Sequence, residues 1–347
     1  MEQVNLTDSV GENSTVCPSI DDFRNQVYST VYSIITVFGL VGNGFALVVL
    51  IRTYRQSSPF HVYMLNLAVS DLLCVSTLPL RVLYYVNRGR WDLGDFLCRI
   101  SSYALYVNLY CSIYFMAAMS VTRFLAIVFP VQNLRLVTEG RARLVCACVW
   151  VFICVSSSPF LMSGQFIDHK TNKTKCYEPP QVGSGNLKKL VMLNYLSLVV
   201  GFALPFLIIL LCYAGIIRTL LSRNQTARRQ RGTGNKAIRM IVIVMLAFLI
   251  SFMPYHVQRS IHLNFLSRSD TSCAERIAMQ KSVVVTLCLA AANSCFDPLL
   301  YFFSGEGFRS RLSTLRPSTR GSTQHHVTQL NTSAGPDTRE NNQLKAN

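Results

Sequence analysis

Two carboxylates stand inside long apolar stretches of this chain: Asp71 in LAVSDLLCVSTLPL and Asp297 in CFDPLLYFF. Desolvating a lone charge is costly, so an acid in such a setting is held by a partner, an ion or a function. Two arginines, Arg81 and Arg259, also fall near one end of apolar stretches, and no acid accompanies either. An unpaired pair of guanidinium groups facing a cavity receives anions, because the planar N–H fork matches a carboxylate. The alternative is that each snorkels to lipid head groups. No set of nucleophile, base and orienting group accompanies these residues, so the chemistry expected is binding and the chain is not expected to be an enzyme. The twelve cysteines show no metal-ligand spacing. Most lie inside apolar stretches. Cys17, Cys98, Cys176 and Cys273 share one predicted face, which would be the oxidising one.

Charges at such positions need helices that cross an apolar solvent. The chain is 50% hydrophobic and 14% charged, against about 25% charged in a soluble domain. The uncharged run 100–122, between Arg99 and Arg123, spans roughly 34 Å as a helix, enough for a bilayer core of about 30 Å. Comparable spans are predicted at 27–51, 60–86, 98–130, 142–162, 188–221, 238–265 and 277–303. The fold expected is an all-α membrane protein, a seven-transmembrane helix bundle over 26–303. Pro79 is predicted to kink the second span, with the Thr77 hydroxyl pairing a freed carbonyl, and Pro254 to kink the sixth. Beyond them, Phe308, Leu312 and Leu315 recur among Arg309, Arg311 and Arg316, which predicts a short amphipathic eighth helix over 304–316 on the membrane surface. Residues 317–347 are Ser/Thr/Asn-rich and read as a disordered cytoplasmic tail.

The net charge of +16 raises nucleic acid as a partner. Its distribution excludes that, because Lys and Arg lie in alternate connections between spans, as in cytoplasmic loops. Residues 1–25 carry five acids against Arg24, and glycan acceptor sequons at Asn5 and Asn13. This N-terminus is expected outside the cell, with the sequon at Asn172 in the loop 163–187 on the same side. The two halves show no internal repeat, which weighs against a transporter.

Asn43, Asp71, Arg123, Trp150, Pro205, Pro254 and Pro298, in that order, with SVTRFLAIVFP around Arg123, resemble the rhodopsin-like (class A) G-protein-coupled receptors over about 17–316. Within that class, DDFRNQVYST, YALYVNLYCSIYFM, FMPYHVQRSIHLNF and DPLLYFFSGEGF resemble the cysteinyl leukotriene receptors. The purine-nucleotide receptors share the helix-seven aspartate and a second extracellular cysteine pair, and are the alternative. A retinal pigment is disfavoured, since Lys281 lies near the outer edge of its span.

The resemblance implies a multi-pass plasma-membrane receptor for cysteinyl leukotrienes. Its implied partners are a heterotrimeric G protein of the Gq class with calcium release, arrestin on the Ser/Thr-rich tail, and membrane lipid. It implies disulfides Cys98–Cys176 and Cys17–Cys273. The ligand set it implies adds Tyr28, Tyr106, Tyr110, Tyr255, Ser157 and Ser197 to the two arginines. Asn43, Ser112 and Asn293 join Asp71 and Asp297 as a sodium site, the ion acting as an allosteric ligand with no other cofactor. Arg123, Tyr213, Tyr301, Phe252 and Pro254 form the G-protein switch. Phe252 stands where the family has tryptophan. No palmitoylation cysteine follows the eighth helix. Thr122 precedes Arg123 where the family has an acid, and 226–240 holds no Asp or Glu, so the usual charge clamp on Arg123 is missing.

Overall fold

The computed structural model describes residues 17–52, 58–162, 164–168, 172–177, 184–222, 228–266 and 272–303. Helix α1 runs Asp21–Arg52, α2 Pro59–Val86, α3 Asp95–Val128, α4 Pro130–Leu136 and α5 Glu139–Ser156. A hairpin pairs β1 (Phe166–Asp168) antiparallel with β2 (Lys173–Lys175). The fifth span joins α6 (Ser184–Leu196), a π-helical stretch Ser197–Ala203 and α7 (Leu204–Ser222). The sixth joins α8 (Arg228–Ala247), a π turn Phe248–Phe252 and α9 (Met253–Leu266). The seventh is α10 (Cys273–Ala291) with α11 (Asn293–Phe303). The sequons at Asn5 and Asn13, the predicted eighth helix and the tail lie outside the described residues.

Among the described residues, six stretches are long and apolar enough to cross a membrane. The remaining span, α5, has 18 residues, and Glu139, Arg141 and Arg143 occupy its first turns. It stands in the bundle nonetheless: Trp150 Nε1 donates to Asn66 Oδ1 at 2.9 Å, and the Tyr103 hydroxyl donates to the Cys154 carbonyl at 2.9 Å. This helix stops earlier than the predicted 162. Pro159 has no N–H to continue the ladder, and the chain passes into a 3-10 turn, Ser158–Leu161. At the other end of the chain, α1 begins at Asp21 rather than 27, with Asp21 and Asp22 in its first turn, where acids favour the positive end of the helix dipole.

Bilayer-like patterning is plain on α1. Tyr28, Tyr32, Ile35, Gly39, Asn43 and Ala46 recur every three or four residues and are buried, while Val37, Phe38 and Val41 are exposed. The outward face at this depth is thus apolar, and Asn43 turns inward. At Gly42 a Cβ would lie 2.9 Å from Pro298 Cγ, so this glycine lets α1 approach the seventh span.

The prolines behave differently from one another. Pro205 and Pro254 each follow a π-helical stretch, so the residue gained there absorbs the lost hydrogen bond and the ring clash. Pro79 stays inside α2. Its missing N–H frees the Val75 carbonyl, whereas Thr77 Oγ1 donates to the Cys74 carbonyl at 2.7 Å. The expected Thr77 rescue therefore falls one residue short. Both disulfides form, Cys98–Cys176 and Cys17–Cys273. They fasten the hairpin to α3 and the start of α1 to the start of α10.

Candidate functional site

The outer half of the bundle holds both arginines. Arg81, on α2, is 3% exposed. Its Cζ lies 4.0 Å from the Tyr177 ring centroid, and Nη2 donates to the Ser101 carbonyl at 3.4 Å. Its Nε is buried and makes no hydrogen bond. Arg259, on α9, donates from Nη1 to the Tyr255 hydroxyl at 2.9 Å and to the Tyr106 hydroxyl at 3.3 Å. Neither side chain snorkels outward, and among the described residues no carboxylate pairs with either.

The expected ligand residues divide between these two arginines. Tyr106, Tyr110 and Tyr255 gather around Arg259, with Ser197 behind Tyr110 and Ser157 behind Phe160. Tyr106 also stacks on Phe160 at 3.6 Å, and Ser157 begins the turn that presents Phe160, accepting its backbone N–H at 3.0 Å. Tyr110 lies against Gly201, where a Cβ would sit 2.6 Å from the ring; its hydroxyl reaches Ser197. Tyr28 belongs to the other group, stacked on Tyr32 and tilted against Tyr85 with centroids 5.1 and 4.6 Å away. Tyr106 stands within electrostatic reach of both guanidinium groups, so the two groups share one anion-seeking field. At the disulfide-bonded end of the bundle, Arg99 donates to Asp95 at 2.6 Å and to the Leu161 carbonyl at 2.6 Å. The Arg99 guanidinium holds the Asp95 carboxyl below the usual carboxylate range.

Mid-depth, Asp71 and Asp297 are both fully buried. Asn108 Nδ2 donates to Asp71 Oδ1 at 2.8 Å, Ser294 Oγ donates to the same oxygen at 2.9 Å, and Asn293 Nδ2 donates to Asp297 Oδ2 at 2.8 Å. Asn43 Nδ2 donates to the Ser294 carbonyl at 2.7 Å. Among the described residues this leaves Asp71 Oδ2, Asp297 Oδ1, Ser112 Oγ, Asn293 Oδ1 and Asn43 Oδ1 buried without hydrogen bonds. Asp297 lies in electrostatic reach of Asp71, with Ser112 beside it. Hard oxygens of this kind suit a small hard cation, and two adjacent carboxylates need a cation or a proton between them.

On the inner side, Arg123 is 8% exposed and lies over Phe60, 4.9 Å from its centroid. Tyr213 is hydrogen-bonded to Ser120 at 2.8 Å and stands in electrostatic reach of Arg123. Tyr301 lies instead in reach of Asp71 and Asp297. Phe252 packs edge-on against Phe248 at 5.2 Å, on the π turn before Pro254. Asn172 sits exposed at the hairpin turn with φ 52°, a left-handed conformation that asparagine tolerates.

Sequence reasoning missed Tyr177, Ser101, Asn108, Ser294 and Phe60. Asn108 stands one turn before Ser112, and Ser294 one turn before Asp297, so polar periodicity could have found both. Only its place beside Cys176 signals Tyr177.

The model of the rhodopsin family of 7 transmembrane receptors matches residues 42–301. Cysteinyl leukotriene receptor 1 of Sus scrofa is 59% identical over 312 residues, covering 90% of this chain and 91% of that one. The Homo sapiens receptor of the same name is 59% identical over 315 residues, 91% of each. The uracil nucleotide/cysteinyl leukotriene receptor of Homo sapiens is 36% identical over 299 residues, 86% of this chain and 79% of that one.

Proposed function

This chain belongs to the rhodopsin family of seven-transmembrane receptors, and on that premise we propose that it recognises cysteinyl leukotrienes at its extracellular side. One observation carries this reading: Arg81 and Arg259 are turned into the bundle, paired with no acid among the described residues, and ringed by tyrosines. Cysteinyl leukotrienes carry carboxylates on a long apolar chain. The guanidinium groups supply charge-assisted hydrogen bonds to the carboxylates, and the aromatic walls take the chain. The names of the relatives at 59% identity support the same ligand class.

Agonist binding shifts a two-state bundle toward the form in which the sixth span swings outward at Pro254 and opens a G-protein site beside Arg123, Tyr213 and Tyr301. The G protein is of the Gq class, with calcium release. Asp71, Asp297, Asn293, Ser112 and Asn43 would hold sodium, an allosteric ligand whose charge offsets the two carboxylates and favours the resting form. The N-terminus lies outside the cell, glycosylated at Asn5, Asn13 and Asn172. Arrestin engages the tail.

A nucleotide ligand is the second reading, favoured by the relative whose name includes uracil nucleotide. Calcium release in transfected cells separates the two: cysteinyl leukotrienes should trigger it and a nucleotide panel should not. A response to nucleotides alone overturns the leukotriene assignment.

A further inference from the structure

A buried cation is useful to a ligand only if its plane is held still. Arg81 has few hydrogen bonds to do this: one long bond to Ser101, with Nε left over. The loop residue Tyr177 supplies the rest. Its ring lies 4.0 Å from Arg81 Cζ, and its hydroxyl is 2.7 Å from Ser101 Oγ. Ser101 Oγ spends its single hydrogen on the Leu97 carbonyl at 2.6 Å, so the tyrosine donates. Ser101 is therefore a common anchor, accepting Arg81 through its carbonyl and Tyr177 through its hydroxyl.

Tyr177 is itself clamped. Tyr84 and Trp91 meet its ring edge-on, with centroids 5.3 and 5.4 Å away. Trp91 is pinned by Nε1 to the Gly94 carbonyl at 2.8 Å and by its backbone N–H to the Thr174 carbonyl at 2.8 Å. The neighbouring Cys176 is disulfide-bonded to Cys98. Tyr177 has φ 64°, a conformation a tyrosine keeps only where its surroundings impose it.

We propose that Tyr177 is a positioning residue for the anion site: it holds the Arg81 guanidinium by its face so that the N–H donors at the edge stay aimed at a ligand carboxylate. A ring on the face leaves the in-plane donors available, so Tyr177 and the anion bind the same arginine together. This inference rests on the leukotriene reading above.

The test uses the full-length receptor in membranes, a radiolabelled cysteinyl leukotriene, and its carboxyl methyl ester as competitor. Tyr177→Leu should weaken binding of the free acid about tenfold and Tyr177→Phe much less. Binding of the ester should hardly change. In the Arg81→Ala background, Tyr177→Leu should add nothing. Should Tyr177→Leu fail to reach the surface, phenylalanines with increasing ring fluorination at 177 carry the test; free-acid affinity should fall with each fluorine. Equal losses for acid and ester, additive losses with Arg81→Ala, or indifference to fluorination each overturn the inference alone. A wild-type receptor that binds no cysteinyl leukotriene overturns the functional reading with it.

Discussion

The outer and inner halves of the bundle each bury arginine in a helix, and they cover it with different aromatics. Outside, Arg81 and Arg259 meet Tyr177, Tyr106 and Tyr255. Inside, Arg123 lies over Phe60. A phenol can hand a hydrogen bond to a ligand and take it back; a phenyl ring offers only its face. On the proposed function, the outer half exchanges these partners with a ligand anion. The inner half covers its charge with an apolar ring until the helices move apart. Between the two lies the Asp71–Asp297 network, with acceptor oxygens left over.

The largest expected effect breaks the outer half. Arg81→Ala or Arg259→Ala should each weaken agonist binding by about 1.5–3 kcal/mol, the scale of a charge-assisted hydrogen bond. Arg259→Lys should recover only part, because an ammonium cannot bridge Tyr255, Tyr106 and a carboxylate with one planar fork. Radioligand competition measures both; unchanged affinities would mean the outer arginines do not contact the ligand.

Next comes the link between the halves. Raising sodium at constant ionic strength should lower agonist affinity by about 1 kcal/mol or more, the low end of allosteric coupling. Asp71→Asn should remove that dependence. An agonist affinity indifferent to sodium would leave the mid-depth oxygens to a water-linked network.

A smaller effect tests the inner cover. Phe60→Leu keeps apolar bulk and loses the ring face, so basal G-protein activation should rise by about 0.5–1 kcal/mol in the active–resting balance, with no loss of agonist binding. Nucleotide-exchange assays on membranes read this. Basal activity equal to wild type would show that packing elsewhere holds Arg123.

The smallest is Thr122→Asp. Restoring an acid beside Arg123 should lower basal activity or shift agonist potency to higher concentration by about 1 kcal/mol or less, since Arg123 is buried and desolvation of the new carboxylate offsets much of the attraction. Both quantities unchanged would mean that Arg123 does not limit the resting state.

Much of this architecture was legible in the residues. Apolar run lengths announced the spans, and position along each run announced depth, since a helix advances a constant 1.5 Å per residue. That is why Arg81, Asp71 and Arg123 could be assigned to outer, middle and inner levels from their numbers. Element ends were less legible: α5 stops at Ser156 because Pro159 ends its ladder. The π stretches before Pro205 and Pro254 have no pattern of their own.

Sequence by itself determined which residues exist at each depth; it did not determine which of them touch. Tyr177 reaches Arg81 because the Cys98–Cys176 bond folds the hairpin over the bundle. Asn108 and Ser294 converge on Asp71 because the rotations of α3 and α11 about their axes bring one face of each toward α2. Tyr28 joins Arg81 rather than Arg259 because α1 packs on α2. Depth follows from the repeat of one helix, whereas rotation and choice of neighbour follow from the packing of all seven against one another, and only the tertiary structure decides those.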